Sequence, residues 1–267
     1  MDLGHIARYS AVLKDLVRIH NEIIPWTNED QHEKAAIRQT IDIVQEALYP
    51  WITQPDKDGN QMFSSILELL DSFTEDAGIV ISTGARGGFR WAVHQIVTLR
   101  AVLNCTLNIE IFYGGEDDLP EEYRTFIQDI EAAFPDAGSI RTIDITQIFP
   151  DPKGLLGFPG GWAMRPFAIL ASSFKKVILT DADTVWMQDP SKILEEETFA
   201  EYGSVFWHDR ELAAASDETY AWVDELLEAA KANSENFQPN GWFDKKTCYE
   251  MERWASPKSH NYHFIGG

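Results

Sequence analysis

The 267 residues carry 43 Asp plus Glu against 22 Lys plus Arg, a formal net charge of −21, with 44% hydrophobic and 12% aromatic content. That apolar fraction suffices for one large domain, or one domain with an appendage, and the acidic balance argues against a nucleic-acid phosphate backbone as partner. No run of 18 or more apolar residues occurs and the first thirty residues hold no signal-type apolar core, so no anchoring or exporting segment is expected within this stretch.

Taken in chain order, residues 3–24, 33–49 and 62–73 space their apolar side chains by three and four, with Leu13, Leu16, Val17, then Ile37, Ile41, Val44, Leu48, then Ile66, Leu69, Leu70. Three helices are predicted, separated by Pro25 and by the stretch 50–59. From Gly78 the pattern changes to short apolar runs alternating with helical stretches, the mark of βαβ units and a largely parallel sheet. The expected organisation is therefore a helical region over 1–76 and an α/β domain over 77–267. Residues 78–83 are the first predicted strand. They lead through Gly84-Ala85-Arg86-Gly87-Gly88 into a helix with the stripe Ala92, Ile96, Leu99, Leu103. Strand, glycine-rich turn and helix N-terminus suit a phosphate or nucleotide, but the spacing is neither a P-loop nor the dinucleotide fingerprint, and a plain tight turn fits equally.

Further on, a strand is predicted at 108–113, a helix at 120–134, a strand at 139–146, a Gly/Pro-rich loop at 147–161 and a helix at 162–174. Arg165 falls in the first turn of that helix, where the dipole does not favour a cation. It either meets a phosphate or pairs with an acidic neighbour. Beyond the next strand come a helix at 190–200, a strand at 203–207, a helix at 220–233 and the start of a strand at 261–267.

The chemistry concentrates in Lys176-Val177-Ile178-Leu179-Thr180-Asp181-Ala182-Asp183-Thr184-Val185-Trp186. An apolar run reading as a buried strand delivers two carboxylates two residues apart, which a pleated strand points the same way. Ligands of open α/β sheets sit outside the carboxyl ends of the strands, and paired hard oxygen donors there suit Mg²⁺ or Mn²⁺ bridging phosphate oxygens. About one Asp-x-Asp arises by chance in a chain this long, and Asp56-Lys57-Asp58 is the other. Lying between Pro55 and Gly59 with no apolar run before it, it reads as a turn. An EF-hand would need Gly in place of Gln61 and Glu in place of Leu67. Cys105 and Cys248 have no metal-ligand spacing and leave pairing open. Asn104-Cys105-Thr106 is an N-glycosylation sequon that matters only in a lumenal chain. His260 and His263 are a weak candidate metal pair.

On these residues, and above all on Trp-Ala-Met-Arg-Pro-Phe-Ala-Ile-Leu-Ala-Ser-Ser-Phe-Lys-Lys-Val-Ile-Leu-Thr-Asp-Ala-Asp-Thr-Val-Trp-Met-Gln-Asp-Pro at 162–190, the chain resembles the fungal α-1,3-mannosyltransferases of glycosyltransferase family 71, over roughly residues 77–210. The resemblance implies a GT-A fold, a Rossmann-like, mostly parallel sheet. It also implies GDP-mannose as donor, a glycan mannoside as acceptor, Mn²⁺ or Mg²⁺, and retention at the anomeric carbon. Relatives of this kind are type II membrane proteins of the Golgi lumen acting on protein-linked glycans. Asp181 and Asp183 would hold the metal and, with Ala182, line the donor diphosphate. Ser82, Thr83 and Gly84 are candidates for nucleotide contacts, and Arg86 or Arg165 for neutralising phosphate charge. No catalytic nucleophile is named. The family's membrane anchor and its later His/Glu-Ser-Gly type segment find no match here. A fragment that binds donor and transfers poorly is therefore expected.

Three other readings compete. A haloacid-dehalogenase-type phosphatase would use Asp181 as nucleophile and Asp183 as acid/base, but places that strand early and needs a later paired acidic motif, whereas here the motif follows three strands and neither Asp-Asp nor Gly-Asp-x-x-x-Asp follows Asp189. A sugar-nucleotide pyrophosphorylase lacks its basic glycine-rich signature at the first strand. A non-catalytic nucleotide-binding domain would keep the fold and lose transfer.

Overall fold

The structure, a computed structural model, describes residues 3–23, 30–56, 58–84, 87–150 and 163–205. Residues 15–205 form one compact unit and residues 1–14 with 206–267 another. Of the second, only 3–14 are described, the beginning of helix α1 (Leu3–Arg18), which continues into a π-helical turn at Ile19–Ile23. No helix of the described residues is long and apolar enough to cross a membrane.

The larger unit is built on four parallel strands, β1 (Glu75–Ser82), β2 (Asn108–Tyr113), β3 (Ile140–Asp144) and β4 (Phe174–Asp181), in the order β3-β2-β1-β4. A mixed α/β architecture on a parallel sheet matches the GT-A expectation. Around it lie α2 (Gln31–Leu48), α3 (Ile66–Asp71), α4 (Phe89–Val97), α5 (Glu121–Ala133), α6 (Ile145–Ile148), α7 (Met164–Ala171) and α8 (Glu197–Tyr202).

Period-two alternation divides the core between the two faces of the sheet. Ile79, Ile81, Ile109, Ile111, Ile140 and Ile178 pack with Ala92 and Ile96 of α4 and Ile127 and Ile130 of α5. On the other face Val80, Phe112 and Phe174 pack with Met164 and Ala168 of α7, with Phe149, and with Ile52, Phe63 and Leu69. Strands buried on both sides read as continuous apolar runs, as parallel sheets require. Gly78 marks a close crossing, because a Cβ there would lie 2.2 Å from the Phe174 ring.

The expected boundary after 76 falls two residues inside β1, and α2 and α3 belong to the same compact unit as the sheet. The Gln45 side-chain carbonyl accepts the Ile66 N–H and ties α2 to α3. The helix expected over 62–73 is confined to 66–71. Ser65 caps it by accepting from Glu68 N–H, leaving Phe63 free to enter the core. The third strand ends at Asp144, whose carboxylate accepts from Thr146 N–H and starts α6. In place of one helix over 190–200, a 3₁₀ turn (Pro190–Glu195) precedes α8, and Glu196 between them is extended. Residues 203–205 are not strand. The rest of the strand expected at 203–207, the helix at 220–233, the strand start at 261–267, His260, His263 and Cys248 lie outside the described residues.

A polar network crosses the amino ends of the strands. Glu110, 1% exposed, meets Arg141 at 2.9 Å and accepts from Ser173 N–H and Oγ–H. Arg141 also pairs with Glu75, which accepts from the Asn108 amide. These partners satisfy a carboxylate that burial would otherwise penalise.

Candidate functional site

From β1 the chain moves outward through β2 to β3, then returns across the sheet to place β4 on the other side of β1. The topological switch point therefore lies between β1 and β4, and the crevice outside their carboxyl ends is where such sheets bind ligands. The register sets Ser82 opposite Asp181. Ser82-Thr83-Gly84 and Asp181-Ala182-Asp183 are thus brought together.

β4 ends at Asp181, and Thr184 N–H donates to the Asp181 carbonyl at 3.1 Å, closing a turn over Ala182 and Asp183. This corrects the pleat argument, since a turn and not a strand sets the direction of Asp183. Both carboxylates are exposed while Ala182 packs against the α4-side core, so the small apolar residue anchors the turn. Asp181 follows Val177 and Leu179 on the α7 face, and from α7 the Arg165 guanidinium meets its carboxylate at 2.6 Å. Of the two options for Arg165, the structure realises the acidic neighbour. Their side chains are 31% and 46% exposed, which leaves both open to a ligand.

At the end of β1, Thr83 N–H donates to Phe112 O while its side chain turns inward, 5% exposed, with no partner for Oγ1 among the described residues. A Cβ on Gly84 would lie 2.1 Å from Asp118 Oδ1, and one on Gly88 would lie 2.3 Å from Thr83 Oγ1. Gly87 stands at φ +150°. Close approach therefore requires glycine at 84, beyond the needs of an ordinary turn, while at 88 a Cβ would displace only the Thr83 hydroxyl. Ala85 and Arg86 lie outside the described residues.

Three contributors escaped the sequence reading. Asp118 accepts from Gly114 N–H at 2.8 Å and closes on Gly84, adding a third carboxylate to this edge. Gln95 of α4, 4% exposed, donates to Thr180 Oγ1 at 2.9 Å beneath the Asp motif. Trp186 packs against the core with its indole N–H buried and without a partner among the described residues. Asp118 has a sequence signal, its position just past the second strand; the other two have none.

Asp56 accepts from Asp58 N–H and Asn60 N–H, both at 2.8 Å, a turn closed on itself. The Asn60 backbone N–H, and the Asn60 side-chain amide that donates to the other Asp56 oxygen at 3.2 Å, hold its carboxyl below the usual range. Cys105 is a free, buried thiol pushed up to about 11 by burial. At neutral pH it is no nucleophile.

Among the described residues no group of three or more His, Cys, Asp or Glu is arranged to hold a metal by itself. The donor set at the switch point suits a hard divalent cation that takes one or two carboxylates and fills its other positions with water and phosphate.

A family model described as "Mannosyltransferase putative" matches residues 76–261. Two proteins of Candida albicans (strain SC5314) are similar to this chain. One, named "Putative alpha-1,3-mannosyltransferase MNN14", is 22% identical over 83% of this chain and 35% of its own length. The other, named "Alpha-1,2-mannosyltransferase MNN21", is 30% identical over 58% of this chain and 23% of its own length. The chain thus spans about a third or less of these relatives.

Proposed function

The chain belongs to the mannosyltransferase family whose model matches residues 76–261, and from that premise we propose that it moves mannose from GDP-mannose to a mannoside of a glycan, with a divalent metal and with retention at the anomeric carbon. The observation that carries this reading is the pair of exposed carboxylates closing β4 at the switch point, with a guanidinium 2.6 Å from Asp181.

Asp181 and Asp183 would hold Mn²⁺ or Mg²⁺, which when bound supplies positive charge against the departing nucleoside diphosphate. Arg165 orients the Asp181 carboxylate and offers a planar cation suited to phosphate oxygens. The buried Thr83 hydroxyl can both donate and accept, and with Ser82 and Gly84 it forms the nucleotide side of the crevice. Glycines at 84 and 88 let backbone approach that side closely. No residue is assigned as nucleophile. The relatives' names support mannosyl transfer for them, and for this chain we infer work in the lumen of the secretory pathway, the Golgi above all.

Calorimetric titration of GDP with and without Mn²⁺ tests the site. Wild type is expected to bind only with metal. Asp183→Ala should lose at least about tenfold in affinity, the consequence of removing one charge-assisted contact worth roughly 1.5–3 kcal/mol. Unchanged metal-dependent affinity in that variant would remove the diphosphate from this edge. Release of mannose from labelled GDP-mannose to α-mannosides separates a transferase from a non-catalytic nucleotide binder.

A further inference from the structure

We propose that Asn104 is an N-glycosylation site carrying an oligosaccharide near the amino ends of the strands, opposite the donor crevice. The inference rests on the lumenal placement argued above. Asn104-Cys105-Thr106 is the single Asn-x-Ser/Thr sequence in the chain.

Geometry supports the modification. After α4 the chain passes through a π-helical turn (Thr98–Val102) and reaches β2 by way of Asn104, which stands at φ +52°. Asn tolerates this left-handed conformation better than most residues. Asn104 and Thr106 are both exposed, whereas Cys105 between them is fully buried. The two side chains the sequon needs therefore face solvent, and the middle residue pins the segment to the core. The Asn104 carboxamide has no hydrogen-bond partner among the described residues. Around it the backbone is fixed: Cys105 N–H donates to Leu99 O at 2.9 Å, and the buried Arg100 guanidinium donates to the carbonyls of Cys105, Leu107 and Gly138. A bulky group on the Asn104 nitrogen thus displaces no structural contact. Six residues of β2 separate this turn from the crevice, roughly 20 Å at about 3.3 Å per residue, so a glycan here leaves the crevice open.

The reaction joins the side-chain amide nitrogen of Asn104 to the anomeric carbon of an oligosaccharide carried on a lipid diphosphate. The bond from that carbon to the diphosphate oxygen breaks, the lipid diphosphate leaves, and one amide proton passes through a basic group of the host's transferase to solvent.

The test uses the full 267-residue chain secreted from yeast behind a cleavable leader and read by mass before and after peptide N-glycosidase. Wild type should carry an oligosaccharide, and enzymatic release should convert Asn104 to Asp. Asn104→Gln and Thr106→Ala should both be unmodified, and Thr106→Ser should remain modified. Thr106→Ala keeps the left-handed Asn, so its loss of glycan is not a folding effect. A leader-processed wild type without glycan at Asn104, or a glycan persisting in both variants, would overturn the site. Because the leader forces lumenal entry, Mn²⁺-dependent GDP binding by the same material tests the functional reading separately: failure there refutes that reading and leaves the mass result standing.

Discussion

Thr83 buries a hydroxyl that has no partner among the described residues, and an unsatisfied buried polar group costs about 1–3 kcal/mol. Thr83→Val keeps the shape and removes that cost. If the hydroxyl serves the nucleotide, the variant should raise Tm while weakening GDP binding, opposite signs that differential scanning and calorimetry read side by side. A variant that loses both stability and binding would make Thr83 a structural residue. Gly84 is the complementary case. A methyl group there meets Asp118 Oδ1 at 2.1 Å and Cγ at 2.7 Å, and moving that carboxylate breaks its bond from Gly114 N–H. At Gly88 the nearest atom is one hydroxyl oxygen that a χ1 rotation can withdraw. Gly84→Ala is therefore expected to lose about 1–3 kcal/mol by overpacking, more than Gly88→Ala, in urea unfolding. Adding Asp118→Ala should recover part of the loss; no recovery would put the strain elsewhere. The glycine run was legible in sequence, but which glycines matter depends on atoms arriving from the β2 end and from Thr83, which local pattern does not encode.

At the scale of elements, β2 lies where alternation and composition put it, and the Asp motif closes β4 as its apolar run required. Boundaries shifted where a side chain captured backbone. Ser65 caps α3 and resets its start, and Asp144 caps α6 and so ends β3 before the expected residue 146; hydrophobic spacing does not register a cap that competes with it. The network at the amino ends of the strands was not legible at all, because Glu75, Glu110, Arg141 and Ser173 meet only once all four parallel strands have paired. It makes acid stability predictable. Burial pushes Glu110 up, with the Ser173 bonds and Arg141 opposing. Burial also pushes Glu75 up, but bonds from Asn108 and Arg141 outweigh it and leave its pKa lowered. A lowered carboxyl stabilises above its unfolded value and loses that contribution as pH falls through its folded one. A raised carboxyl does the reverse, gaining on protonation. From pH 6 into the acid range, Glu75→Gln should therefore flatten the decline in Tm and Glu110→Gln should steepen it. Equal slopes in the two variants and wild type would show that the network contributes no net proton linkage.

For the molecule as a whole, the crevice between the carboxyl ends of β1 and β4 depends on parts of the chain that supply none of its atoms. Ile52, Phe63 and Leu69, at 3%, 7% and 2% exposure, precede β1 in sequence and pack into the same cluster as Val80, Phe112, Phe149 and Phe174. That cluster also holds Met164 and Ala168 of α7, the helix that aims Arg165 at Asp181. The sequence divides into a helical region over 1–76 and an α/β domain over 77–267, and were the two separable a chain beginning near residue 75 would keep its nucleotide site. The packing argues the opposite. Losing the burial of three large side chains forfeits about 1.5–3 kcal/mol each, a sum comparable to the roughly 5–15 kcal/mol that holds an ordinary domain together. The lost tie between Gln45 and Ile66 N–H adds to it. A chain starting at Glu75 is therefore expected to lack cooperative thermal unfolding by circular dichroism and to bind no GDP with Mn²⁺, while the 267-residue chain does both. A truncated chain that melts cooperatively and binds GDP with unchanged affinity would show that the face covered by Ile52, Phe63 and Leu69 is closed well enough without them, and that the region before β1 is an appendage rather than part of the fold that positions Arg165.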